Sequence, residues 1–234
     1  MKKLIIYITF MYPNKEKFFE ILTMLDKCQA DVVEIGIPAE NPYLDGDIVK
    51  HTYEEVLKNK ITIEEIKETL QTIKEKLSFK SVVMTYDEGI KKYSLLTNIE
   101  DCCDGLLCSD RSLKREEFSK IIQVYNESIE STEMNNMIEA NDVFCYVMSG
   151  IGKTGSMDKI PNDYIKTIKR LRNITDLPIY VGFGVKGSED VIKICSNGAD
   201  GVIIGSHFLK VYNEGGIDNA EKYVKEIKNA LASV

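Results

Sequence analysis

Short apolar runs rich in β-branched residues alternate with longer stretches whose apolar positions recur at helical spacing. Residues 4–9, 32–35, 81–84, 105–108, 143–148, 179–181 and 202–204 are the short runs. They read as strands, and the run at 32–35 as one buried on both faces. A further short strand is expected at 128–130, in the least regular part of the chain. Between them, residues 15–28 carry Phe18, Ile21, Leu22 and Leu25 on one stripe, which predicts an amphipathic helix. Thr62 with Glu65 forms a capping box that starts another. Helices are also expected at 48–59, 87–96, 112–125, 163–172 and 188–196, and from Thr132, Ser206 and Asp218.

Strands separated only by helices assemble into a parallel sheet. Eight such units in 234 residues fit an α/β fold of the (β/α)8 TIM-barrel type, which typically takes about 250 residues. A doubly wound open sheet is the alternative. No linker or shift of composition divides the chain, so a single barrel domain over 1–234 is expected. In such a barrel the chemistry sits at the C-terminal ends of the strands.

Composition narrows the function. A net charge of −7 argues against nucleic acid and anionic membranes as partners. No apolar run reaches the roughly 18 residues of a spanning helix. The apolar start of the chain is short and has no small-residue cleavage site, so it reads as the first strand of a cytoplasmic protein. The six cysteines lack metal-ligand spacing and read as reduced core thiols. His51 and His207 are too few and too far apart for a metal site or a serine-type triad.

Two regions carry candidate chemistry. The first is the stretch VVEIGIPAENPYLDG at 32–46. Glu34 stands in an apolar strand, where an ionised carboxylate is costly unless paired. It is either an edge residue facing water or a tuned acid-base group. The loop that follows, stiffened by Pro38 and Pro42, presents Asp45. The second region is a set of glycine loops: Thr154-Gly155 after the sixth strand, Gly182-Phe183-Gly184 after the seventh, and Gly205-Ser206 after the eighth, opening a short helix. Glycines let backbone N–H groups approach an oxyanion, and a helix N-terminus adds free donors and a favourable dipole. The loops after strands seven and eight form the common phosphate site of this fold.

With these pieces in order, the chain resembles the tryptophan synthase alpha-subunit family. The matching stretches are Glu34-Ile35-Gly36-Ile37-Pro38, Pro42-Tyr43-Leu44-Asp45-Gly46, Tyr146-Val147-Met148-Ser149, Gly152-Lys153-Thr154-Gly155, Gly182-Phe183-Gly184 and Gly205-Ser206. The resemblance implies a lyase of tryptophan biosynthesis. It would cleave indole-3-glycerol phosphate by a retro-aldol step to indole and glyceraldehyde 3-phosphate. It implies Glu34 as general acid-base and Asp45 as the partner of the indole N–H. Tyr146, Tyr7, Phe183 and Thr154 would contact substrate, and Gly155, Gly184, Gly205 and Ser206 would hold phosphate. No cofactor is implied for this half-reaction; pyridoxal phosphate would belong to a beta-subunit partner in an α2β2 heterotetramer. The chain departs from the family at the shorter segments 85–89 and 126–141, at Gly150 and Lys153, and at Ala39-Glu40-Asn41. A stand-alone indole-releasing lyase and a non-catalytic phosphate-binding barrel are the other readings.

Overall fold

A computed structural model describes residues 1–150 and 160–234. Eight parallel strands close into one barrel in sequence order. They are β1 (Lys3–Thr9), β2 (Val32–Gly36), β3 (Lys80–Thr85), β4 (Gly105–Cys108), β5 (Ile121–Tyr125), β6 (Cys145–Met148), β7 (Ile179–Gly182) and β8 (Gly201–Ile204). The helices are α1 (Lys15–Lys27), α2 (Asp47–Leu57), α3 (Ile63–Lys76), α4 (Asp87–Tyr93), α5 (Leu95–Asn98), α6 (Ser131–Glu139), α7 (Asp163–Arg172), α8 (Ser188–Ser196) and α9 (Ser206–Ala232). The barrel expected from the alternation of elements is therefore present, and the open sheet is not.

Local sequence explains the ends of these elements. Asn14 caps α1 by accepting from the Lys17 N–H, and the Thr62 hydroxyl accepts from the Glu65 N–H to cap α3. Ser94 adopts a left-handed conformation at φ 49° and splits the expected helix at 87–96 into α4 and α5. Gly216, at φ 68°, interrupts α9, so the chain ends in a short and a longer helical piece as expected.

The expected helix at 112–125 and the expected strand at 128–130 are both corrected by the structure. The fifth strand is β5, Ile121–Tyr125, and no helix lies between β4 and β5. The charged run at 114–117 has helical propensity but makes only a turn. The Arg111 guanidinium grips the Glu117 carboxylate through two nitrogens, at 3.0 and 2.8 Å, and the Lys114 N–H donates to the same carboxylate. Ile121, Ile122 and Val124 follow at strand spacing, and Ile121 and Ile122 are buried.

Side chains inside the barrel follow from the period of two along each strand. Ile5, Val32, Val82, Leu107, Ile122 and Phe144 pack together in the interior. Two residues beyond Val32, at the C-terminal end of β2, the inward position is Glu34; beyond Ile5 it is Tyr7, which pairs with Glu34 in register. The intervening residues Ile6, Val33 and Ile35 pack outward against the helices. The six cysteines are unpaired and buried. Among the described residues no helix is long and apolar enough to cross a membrane.

The barrel closes where β1 meets β8, and Gly201 makes this approach possible. A Cβ there would lie 2.2 Å from the Lys3 carbonyl oxygen, a backbone atom that cannot rotate away. Gly201→Ala is therefore expected to destabilise the barrel by about 1–3 kcal/mol. In urea unfolding this appears as a lower midpoint with an unchanged slope.

Candidate active site

A cavity of about 610 Å³ opens at the C-terminal ends of the strands. Glu34, Asp45, Tyr7, Tyr146 and Phe183 all line it, as do Gly184, Gly205 and Ser206. The structure thus brings together every expected site residue among those described. Thr154 and Gly155 lie outside the described residues.

Glu34 is 2% exposed, and its Oε1 has no hydrogen-bond partner among the described residues. Burial, with a smaller contribution from the Asp45 charge, pushes its carboxyl from 4.5 up to about 8. It is therefore a buried acid that holds its proton at neutral pH. The edge-strand reading of Glu34 is excluded, because β2 lies between β1 and β3.

Asp45 is also 2% exposed and sits at the end of the loop between β2 and α2. The Tyr86 hydroxyl donates to its Oδ2 at 2.8 Å. Tyr86 was not apparent from the sequence as a site residue. Its partner is 41 positions away, and no local pattern links them.

Aromatic rings form the apolar walls. Tyr7 leans across β2 onto Gly36, where a Cβ would collide with its hydroxyl at 2.2 Å. That hydroxyl shares a hydrogen bond with Thr9 Oγ1 at 3.2 Å. Tyr146 meets Phe183 edge-on at 5.9 Å, with its own hydroxyl above Gly182. Burial raises the Tyr7 and Tyr146 hydroxyls well above the usual phenol range, so both stay neutral.

The glycine loops line the same cavity beside these rings. Phe183 and Gly184 both take positive φ, 71° and 78°, and the Ser149 hydroxyl donates to the Phe183 carbonyl. A non-glycine residue at positive φ is uncommon, and here it turns the loop after β7 toward the cavity. Gly205 precedes the first turn of α9, and Ser206 opens that helix. Free backbone donors at such a turn suit a phosphate.

The sequence family model described as tryptophan synthase alpha chain matches residues 1–233. The chain belongs to the tryptophan synthase alpha chain family. A tryptophan synthase alpha chain from Petrotoga mobilis is 31% identical over 100% of this chain and 95% of its own length. One from Prochlorococcus marinus subsp. pastoris is 30% identical over 93% of this chain and 84% of its own. Among solved structures, a tryptophan synthase complex from Pyrococcus furiosus superposes with a TM-score of 0.84 at 25% identity, covering 98% of this chain and 100% of that one. Membership of the tryptophan synthase alpha family makes this barrel a lyase of tryptophan biosynthesis.

Proposed function

We propose that Glu34 and Asp45 carry out the cleavage of indole-3-glycerol phosphate to indole and glyceraldehyde 3-phosphate. The observation that supports this most is the buried, proton-holding Glu34 in a cavity that Asp45 also lines. The Glu34 carboxyl proton passes to indole C3, and the ring nitrogen takes up positive charge as an indolenine. Asp45 stabilises that cation at the N–H. The Glu34 carboxylate then removes the proton from the hydroxyl on the carbon attached to C3. The C3–carbon bond breaks, its electrons return to the ring, and the aldehyde leaves. Glu34 ends protonated, as it began, and the sum is balanced without a cofactor.

Tyr7, Tyr146 and Phe183 would enclose the indole. The phosphate would lie against Gly184, Gly205 and Ser206. This chain needs no cofactor of its own in this account; pyridoxal phosphate belongs to the beta chain that receives the indole. An α2β2 assembly in the cytoplasm is the setting proposed, in keeping with the Pyrococcus furiosus complex that the chain resembles. The partner reading is tested by mixing the chain with a tryptophan synthase beta chain. Indole-3-glycerol phosphate cleavage is expected to speed up and the two chains to co-elute. Unchanged rate and separate elution would leave a lyase that works alone.

A further inference from the structure

The loop that carries Asp45, residues 37–46, is held at its start, middle and end by one short segment, the junction of β3 and α4. At the start, the Thr85 hydroxyl donates to the Ile37 carbonyl at 3.0 Å, and the Ile37 N–H donates to the Met84 carbonyl at 2.9 Å. In the middle, the Glu88 carboxylate accepts from two successive backbone groups, the Glu40 N–H at 2.9 Å and the Asn41 N–H at 3.3 Å. At the end, the Tyr86 hydroxyl donates to Asp45 Oδ2 at 2.8 Å. Lys92, one turn further along α4, pairs with Glu40 at 2.9 Å.

The junction is itself braced from the other side. Asp87 binds the Arg111 guanidinium at 2.6 Å, and its backbone N–H donates to Asp110 Oδ1 at 2.9 Å. Gly89 allows the tight fit. A Cβ there would lie 2.2 Å from Thr85 Oγ1, the atom that reaches Ile37. Pro38 and Pro42 already restrict the loop's φ angles, so fewer conformations remain for the clamp to remove.

We propose that the β3–α4 junction clamps the Asp45 loop in its working position, with Tyr86 and Glu88 as positioning residues for the cleavage step. The role in cleavage rests on the reaction proposed above; the clamp itself does not. Hydrogen bonds between a carboxylate and backbone N–H groups are about twice as strong as neutral ones. Glu88 therefore fixes the middle of the loop and Tyr86 the reactive carboxylate at its end. The consequence is a loop ordered by this chain's own residues, before any partner binds.

The test compares Glu88→Ala, Glu88→Gln and Tyr86→Phe in the full chain. Amide hydrogen exchange over residues 37–46 is expected to quicken about ten-fold in Glu88→Ala, with the strands and α7–α9 unchanged. In indole-3-glycerol phosphate cleavage, kcat is expected to fall roughly ten-fold in Glu88→Ala and in Tyr86→Phe, with KM within about two-fold of wild type. Glu88→Gln, which keeps an acceptor oxygen for only one of the two N–H groups, is expected to fall between wild type and Glu88→Ala. Exchange that is unchanged in Glu88→Ala, or faster throughout the barrel, overturns the clamp whatever the substrate. Faster exchange confined to the loop with full kcat overturns the positioning role. A wild type without cleavage activity overturns the proposed reaction instead, and with it the positioning role, while the exchange result still decides the clamp.

Discussion

Replacing Glu34 with Gln is expected to lower kcat for indole release by about 10²–10⁴-fold, the range lost with a general acid-base group. The substitution keeps the shape of the side chain and removes its transferable proton. Binding of glycerol phosphate is expected to persist, because Gly184, Gly205 and Ser206 line the cavity independently of Glu34. The wild-type pH profile carries the same signature. Cleavage needs the protonated acid, so kcat/KM is expected to fall as pH rises through about 8, the value to which burial and the Asp45 charge raise Glu34. Stability moves in the same direction. The folded state keeps the Glu34 proton up to about 8, whereas the unfolded chain releases it near 4.5. The contribution of this group is therefore fully present below 4.5 and is lost as pH rises toward 8. Glu34→Gln removes that dependence, which urea midpoints at pH 5 and pH 8 would reveal. A Glu34→Gln chain that retains most of its turnover excludes Glu34 as the acid-base group.

Asp45→Asn is expected to cost about 10²–10³-fold in kcat, as removing one preorganised charge partner does elsewhere. The amide is nearly the same size and can still accept from Tyr86, so the loss reports the charge. A second effect separates this from a simple packing defect. The Asp45 charge helps raise Glu34, so its removal is expected to move the alkaline limb of kcat/KM to lower pH. An unchanged limb with a reduced kcat would mean that Asp45 and Glu34 do not sense each other in the working enzyme.

Much of this site was legible in the sequence because its signals are local. Glu34 stands two residues beyond Val32, and the period of a strand carries it inward once Val32 is known to be interior. Gly182-Phe183-Gly184 and Gly205-Ser206 follow strands directly, and turn chemistry alone points them at the strand ends. The parts that were not legible depend on long-range contacts. The residues at 114–117 favour helix, but Arg111 and Glu117 close them into a turn and leave β5 to begin at Ile121. Tyr86 and Glu88 look like ordinary start-of-helix residues. Their partners, Asp45, Glu40 and Asn41, stand more than 40 positions away in the chain. Only the closed barrel, which pairs β2 with β3, brings them together.

The central proposal is that the Glu34 and Asp45 pair splits indole-3-glycerol phosphate. The most direct test follows both products from that substrate, with wild type and Asp45→Ala side by side. Indole and glyceraldehyde 3-phosphate are expected in equal amounts from the wild type, and none above background from the variant. Equal rates from the two chains would contradict the role of Asp45. Absence of both products from the wild type, with a beta chain present, would contradict the reaction itself.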